Sequence, residues 1–418
     1  MRVRIHRGTA EIGGSCVEVE ADDGSRIVVD LGRPLDAGWG EQVALPEVPG
    51  LREPDASLLA LLISHPHLDH YGLAVDLPVD VPIYLGAEAA RLLEAAAFFS
   101  PLSGALPCAG HFVDRTSFEI GPFTITPYLV DHSGFDAYSL LIEADGHRLF
   151  YTGDFRGHGR KAALFERLLH EPPDHIDVVL MEGTHVRADG AHDEVVFETE
   201  TALEDRFVEV CERTRGAVVV FGSAQNLDRL VTVYRAAKRS GRTCVVDLYG
   251  ATVAAATRPT IPQPGFDALR VYVPNRQRVR VKESGEFDRV ARIRDHRVFP
   301  EELTQTPERF LLHVPSSTAA ELLRAGVLTP EGLAVWSLWE GYLDDPGGVR
   351  LRGALAAAKV DMEHLHTSGH ASVADLRRLV SALAPACVVP MHSEGGDRFS
   401  ELFTGVDRQL DGVWWEVA

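Results

Sequence analysis

The chain has 418 residues, 45% of them apolar and 24% charged, and its 41 Lys and Arg against 61 Asp and Glu give a net charge of −20. One hydrophobic core stops growing near ~250–300 residues, so two domains, or one domain carrying a large insertion, are expected. No apolar run is long enough to span a bilayer, and MRVRIHRGTAEIGG lacks the uninterrupted apolar stretch of a secretory signal, so no membrane association and a cytoplasmic setting are expected. The five cysteines, Cys16, Cys108, Cys211, Cys244 and Cys387, form no Cys-x-x-Cys pair and read as small apolar residues, not as disulfides or thiolate ligands. A net charge of −20 repels polyanions, so any polyanion would need local positive charge, and the stretch from Arg270 to Arg297 supplies it with nine Lys or Arg against four acids.

In chain order, the first 180 residues are short apolar runs broken by Gly, Asp and Pro: VRIHRG, SCVEVEA, RIVVDLG, SLLALLISH, FTITPYLVDH, YSLLIEA, RLFYTGD and DVVLMEG. These predict strands, with helices at Ala87–Phe98 and Lys161–Leu169. From about Asp189 the order changes to helix Glu198–Arg213, strand Ala217–Phe221, helix Asn226–Ser240 and strand Thr243–Leu248. A Pro-rich irregular stretch follows, then strand Arg309–Val314, helix Ala319–Ala325 and strand Leu333–Leu338. Strands alternating with helices predict a separate parallel α/β unit. Helix Ser372–Ala384 and strand Cys387–Met391 then lead to His392. The expected organisation is a first domain at 1–188, an insertion at 189–357 and a return to the first domain at 358–418.

The apolar run Ser57–Ile63 predicts a strand buried on both faces, and it stops abruptly in Ser-His-Pro-His-Leu-Asp-His-Tyr-Gly. Pro66 removes a donor and favours an extended His65, so the segment reads as a shaped turn at a strand end. Such a turn aims His65 and His67 at one point and Asp69 and His70 at a second point close by. Imidazole and carboxylate suit zinc and neighbouring metals, but two ions need more than four ligands. His132, Asp154 and His392 each follow a strand-like run and complete the set, with Asp154 able to bridge. Two such cations activate water and absorb charge on a scissile carbonyl or phosphoryl oxygen, so hydrolysis is the expected reaction. His111, His147, His158, His170, His175, His185, His192 and His296 have no comparable setting.

Five segments, GTAEIGGSCVEV, SHPHLDHYG, VDHSGFDAYS, YTGDFRGHGRK and the pair HTSGH with VPMHSE, resemble the metallo-β-lactamase superfamily and, within it, the β-CASP nucleases that include ribonuclease J. The resemblance implies a metallo-β-lactamase αββα sandwich with an inserted β-CASP parallel α/β domain. It implies two divalent ions, zinc or manganese, with His65, His67 and His132 on one, Asp69, His70 and His392 on the other, and Asp154 shared. Glu182 matches motif A, His370 motif B and His392 motif C, with His370 near the scissile phosphate and Glu182 orienting it; Asp69 also belongs to the catalytic set. FGSAQN (Ser223, Asn226), VPSSTAAEL (Ser316, Ser317, Thr318) and HTSGHAS (His366, Ser368, Ser372) resemble phosphate-contacting parts of the inserted domain. Pro315-Ser316-Ser317-Thr318 departs from the Gly-Ser-Gln-Gly type of segment typical of ribonuclease J. Only 26 residues follow His392, so the separate C-terminal domain of ribonuclease J is expected to be absent.

These readings favour a phosphodiesterase acting on RNA or single-stranded nucleic acid, with Trp336, Trp339 and Tyr342 available for stacking. A small-molecule hydrolase of a thioester, lactone or phosphoester, with the insertion as a lid, is the second reading, and an RNA-binding protein with a degenerate site the third. A homo-oligomer is compatible with all three.

Overall fold

The short apolar runs of the first 180 residues pair into two sheets in the computed structural model, which describes every residue except Trp39, Leu102 and Ala418. The first sheet orders Trp414–Glu416, Arg2–Arg7, Cys16–Glu20, Arg26–Val29, Leu58–Leu62, Ile83–Gly86 and Cys108–Phe112. The second orders Cys387–Met391, Val178–Glu182, His147–Tyr151, Tyr138–Ala144, Phe123–Leu129 and Phe118–Ile120. Period-two alternation decides which side of a strand faces inward: Val3 and Ile5 of the first strand are fully buried, whereas Arg4 and His6 point the other way. Val17, Ile27, Leu62, Ile125, Leu140, Leu149 and Val389 from the two sheets share one core, so the sheets pack face to face.

Helices cover the outer faces. Val373–Leu383 begins at Ser372, whose hydroxyl accepts the Asp375 amide at 3.1 Å, and its apolar stripe of Val373, Leu376, Leu379 and Leu383 joins Phe165 and Leu168 against the second sheet. Burying each such leucine is worth about 1.5–3 kcal/mol. Helix Ala87–Ala97 packs on strand Ile83–Gly86 of the first sheet. The layers are therefore helix, sheet, sheet, helix.

Two units are separable by contacts, Met1–Phe197 with Gly369–Ala418, and Glu198–Ser368. The second unit has its own sheet of six strands, all parallel, in the order Leu269–Tyr272, Thr243–Asp247, Phe310–Val314, Val218–Phe221, Leu333–Trp336 and Asp361–His364. Its limits differ from the 188/189 and 357/358 divisions read from sequence texture. Residues up to 197 stay with the first unit because Asp193 pairs with Arg398 at 2.8 Å and Phe197 lies 4.5 Å from the His185 ring. Residues 361–364 stay with the second because they form its edge strand.

Helices Leu248–Ala256, Asn275–Ser284 and Pro346–Ala357 escaped the sequence reading. The first is apolar nearly all round and the second buries only Val281, so neither shows a one-sided stripe. Trp336 belongs to the core of the second unit, whereas Trp339 and Tyr342 are exposed. All five cysteines are free; Cys16, Cys211 and Cys244 are buried, but Cys108 and Cys387 are half-buried. No described helix is long and apolar enough to cross a membrane.

Asp247 caps helix Leu248–Ala256 by accepting the Gly250 amide at 2.8 Å and the Gln277 Nε2 at 2.6 Å. Burial pushes its carboxyl up to about 6 from 3.8, outweighing those hydrogen bonds. A group whose pKa is raised by folding stabilises below its unfolded value and loses that contribution as pH rises through the folded one. The second unit is therefore expected to lose up to about 3 kcal/mol from this group between about pH 4 and pH 7. Asp247→Asn keeps a capping oxygen without the charge, so its denaturation midpoint should exceed that of the parent at pH 7 and match it near pH 4. Urea titrations across that range check both points.

Candidate metal centre

Strand ends build the site. Leu58–Leu62 runs into Ser64, His65 and Pro66, and His67 stands at the start of a short helical turn, Leu68–Tyr71, that carries Asp69 and His70. His132 follows Phe123–Leu129, Asp154 follows His147–Tyr151, Glu182 ends Val178–Glu182, and His392 follows Cys387–Met391. His370 lies just ahead of helix Val373–Leu383.

Three groups of potential ligand atoms form, each within 4.8 Å: His65, His67 and His132; Asp69, His70, Asp154 and His392; and Asp154, Glu182 and His370. In four of the rings Nδ1 is anchored and Nε2 is left for the cluster. His65 Nδ1 meets Ser64 Oγ at 3.0 Å, His70 Nδ1 donates to Asp30 at 2.7 Å, His132 Nδ1 to the Gly369 carbonyl at 2.6 Å, and His392 Nδ1 to Thr184 Oγ1 at 3.0 Å. His67 is turned the other way, its Nδ1 3.0 Å from His132 Nε2. The rings of His65, His67 and His132 lie with centroids 4.6–4.9 Å apart. Gly134 makes room for them, since a Cβ there would come within 3.1 Å of His132 and His65.

The residues fit a pair of cations. His65 Nε2, His70 Nε2 and both Asp154 oxygens are buried without a hydrogen-bond partner, a costly arrangement unless an ion lies among them. Asp154 Oδ2 sits 3.6 Å from His65 Nε2 and 3.1 Å from His70 Nε2, so this carboxylate reaches a ring of each ligand group, while Oδ1 is 3.8 Å from the anchored Nδ1 of His392. Burial, reinforced by neighbouring imidazoles, holds His65 and His132 well below the usual histidine range, and burial lowers His67 to about 4; neutral rings are the ligating form. His70 is held high instead, because Asp154, Asp30 and Asp69 outweigh its burial. A divalent cation would satisfy the same carboxylates and displace that proton.

Glu182 accepts the Phe155 amide at 3.0 Å on Oε1, and its Oε2 receives His370 Nδ1 at 3.2 Å. Thr184 Oγ1 stands 3.1 Å from the same nitrogen. Burial opposes a charge on His370, but Glu182 and Asp154 overcome it and raise the ring to about 9. The ring retains 23% of its exposure, so it borders solvent as well as the cluster.

Asp30 and Thr184 were not found from sequence. Asp30 is fully buried and accepts from the Ser64 amide and hydroxyl, His70 and the Tyr151 hydroxyl, which fixes the turn and one imidazole together. Its signal was present: Asp30 follows the strand RIVV as Asp154 follows RLFYTG. Asp131, also buried, binds the Gly159 amide at 2.7 Å beside His132. His185, read as unrelated, lies 6.3 Å from the His370 ring.

The phosphate-contact candidates all lie in the second unit except Ser372. Ser223 with Asn226, Ser316 with Ser317, and His366 with Ser368 follow three of its parallel strands and thus share the carboxyl edge of the sheet. Asn226 caps helix Leu227–Arg239 by accepting the Arg229 amide, and Ser223 Oγ accepts the Gln225 amide. Ser372, in the first unit, is committed to its helix cap. Burial lowers His366 to about 3, so it meets any ligand as a neutral ring, and its buried Nδ1 has no hydrogen-bond partner.

Gly32 abuts the turn from behind: a Cβ there would lie 1.8 Å from the Asp69 carbonyl oxygen and 2.8 Å from the Ser15 amide, both backbone. Gly32→Ala is expected to shift the turn and weaken metal affinity by about 10–100-fold, the range of outer-shell changes. Gly353→Ala, with nothing within 4 Å, is the control. Metal retained against graded chelator measures both.

Residues 34–221 match the beta-lactamase superfamily domain, and residues 357–407 match the Zn-dependent metallo-hydrolase RNA specificity domain. A ribonuclease J of Sinorhizobium meliloti is 25% identical over 212 residues, 49% of this chain and 36% of its own length. A ribonuclease J of Helicobacter pylori is 21% identical over 413 residues, 93% of this chain and 55% of its own. The chain thus spans about half the length, or less, of these curated relatives. A solved structure of a protein of unknown function from Enterococcus faecalis V583 superposes with a TM-score of 0.78 at 21% identity, covering 99% of each chain. Divalent metal binding goes with these domain families and with the ligand groups above. Layered sandwich, inserted parallel unit, strand-end ligands and matched domains agree, and the chain belongs to the metallo-β-lactamase superfamily, in its ribonuclease J-like β-CASP branch.

Proposed function

We propose that the protein is a dinuclear metal-dependent phosphodiesterase hydrolysing RNA or single-stranded nucleic acid. The observation that carries this reading is the shared carboxylate: Asp154 presents two unpartnered buried oxygens to two groups of imidazoles, beside a histidine that is held by a carboxylate but is not needed in either group. In this reading His65, His67 and His132 hold one ion, Asp69, His70 and His392 the other, and Asp154 both. Zinc suits the ligand types, with manganese the alternative. Bound cations of this kind supply an activated water and a sink for charge on the phosphoryl oxygens.

The chain's own residues do the rest. Asp30, Thr184 and the Gly369 carbonyl fix the tautomers of His70, His392 and His132. Glu182 and Thr184 orient His370, whose protonated ring faces the cluster as proton donor to a leaving oxygen or as a counter-charge. Ser223, Asn226, Ser316, Ser317, His366 and Ser368 are the proposed phosphate contacts at the carboxyl edge of the inserted sheet. RNA is favoured over small esters because residues 357–407 match an RNA specificity domain and the relatives are ribonucleases. The segment 270–297 adds exposed Arg276, Arg278, Lys282, Arg292 and Arg294 on the inserted unit, local positive charge on an acidic chain.

Elemental analysis of the purified protein, run beside digestion of 5′-labelled single-stranded RNA and DNA of one sequence, tests the proposal. About two metals per chain with RNA degraded supports it. Bound metal with neither polymer cut would overturn the nuclease reading in favour of small thioesters or phosphoesters.

A further inference from the structure

On the outer face of the first sheet, apart from the histidine and carboxylate cluster, lies a cavity of about 350 Å³, within the size range of small-molecule sites. Three guanidinium groups line it, Arg4, Arg7 and Arg52, together with His6, against a single acid, Glu47. In a chain of net charge −20, such a concavity is a local reversal of sign.

The charges there are poorly compensated by the protein itself. Arg4 faces Glu18 across the antiparallel pairing of the first two strands. Glu18 is already committed, one oxygen to Arg26 at 2.6 Å and the other to His6 at 2.8 Å. Arg4 Nε is consequently buried with no hydrogen-bond partner among the described residues, and the guanidinium carbon lies 5.9 Å from the Trp414 ring centre. Arg7 pairs with Glu11 at 3.3 Å, both side chains partly exposed. Arg52 binds the carbonyls of Leu45 and Pro46, which holds the loop lining one side of the cavity. A guanidinium carries five donors in a fixed fork, so three of them around one space leave many N–H groups for an oxyanion with several oxygens.

We propose that this cavity binds a phosphate monoester dianion carried on a small organic body, as in a sugar phosphate or a nucleoside 5′-monophosphate. The three arginines take the phosphate, and the Leu31, Leu45, Pro46 and Leu73 side of the lining takes the organic part. The site is distinct from the metal centre but close behind it. Gly32, on its lining, donates its amide to Ser15 O at 2.9 Å, and the Ser15 amide donates to Asp69 O at 3.0 Å. The inference does not depend on the nuclease reading.

Calorimetric titration of the metal-loaded protein with adenosine 5′-monophosphate, ribose 5-phosphate and inorganic phosphate tests it, using the parent, Arg4→Gln, Arg7→Gln and, as a control away from both sites, Gly353→Ala. The expected result is monoester binding in the parent that weakens at least tenfold in Arg4→Gln and Arg7→Gln and is unchanged in Gly353→Ala. Metal content and melting temperature establish that the arginine variants are folded; should Arg4→Gln fail that check, Arg7→Gln, with a partly exposed side chain, carries the test. Inorganic phosphate should bind more weakly than either monoester; equal affinity would overturn the organic part of the assignment. Binding that survives both arginine substitutions, or is absent from the parent at millimolar concentration, would overturn the site.

Discussion

Asp154→Ala is expected to abolish phosphodiester hydrolysis and to lower metal affinity by more than ~100-fold, beyond the ~10–100-fold typical of outer-shell changes. The fold should survive. The nearest donor to Asp154, His70 Nε2 at 3.1 Å, belongs to a ring that keeps its Asp30 hydrogen bond in the variant, and the substitution removes a carboxylate from a crowd that includes Asp30 and Asp69. Its proposed role is to reach both ligand groups, 3.6 Å from His65 Nε2 and 3.1 Å from His70 Nε2. His67→Ala, by contrast, deletes a ligand from one group alone and should leave one ion bound. Elemental analysis after dialysis distinguishes the two: near zero metal for Asp154→Ala and about one for His67→Ala. Two metals retained in Asp154→Ala would remove the bridging assignment.

Much of this site was legible because a strand end in an α/β protein is a fixed address. An apolar run followed by Gly, His or Asp announces itself without any knowledge of partners, and His65, His132, Asp154 and His392 were found that way. Asp30 shows the limit. It follows RIVV as Asp154 follows RLFYTG, yet a lone carboxylate among 61 acidic residues carries no weight until the structure shows it accepting from Ser64, His70 and Tyr151 at once. Thr184 was hidden for the same reason, since a hydroxyl between two imidazoles is a relation between residues some 186 and 208 positions apart. In the inserted unit the amphipathic helices Glu200–Arg213 and Leu227–Arg239 were readable from period, whereas Leu248–Ala256 was not, because its identity comes from the Asp247 cap and from burial on most sides. The limits of the contact units differ from those read by texture, which registers composition but not that Asp361–His364 completes a sheet begun at Val218.

His370→Ala is expected to keep its metal and lose about 10²–10⁴ in turnover, the usual worth of a positioned acid or base. The ring contributes to neither of the two histidine-rich ligand groups, and its Nδ1 is occupied by Glu182 and Thr184. Metal content should therefore match the parent while kcat falls and KM changes little. Glu182 acts through that ring and through the Phe155 amide, so it is a positioning residue, and Glu182→Gln separates the two roles. Glutamine still accepts the hydrogen bond but no longer supplies the charge that raises His370, so the alkaline limb of the rate profile should move to lower pH with only a modest loss at the optimum. His370 does not contribute to the chemistry if its alanine variant turns over at the parental rate with full metal. If metal leaves with the ring, His370 belongs with the ligands, and the proton donor must be sought among the neighbours of the third group, beginning with His185, 6.3 Å away.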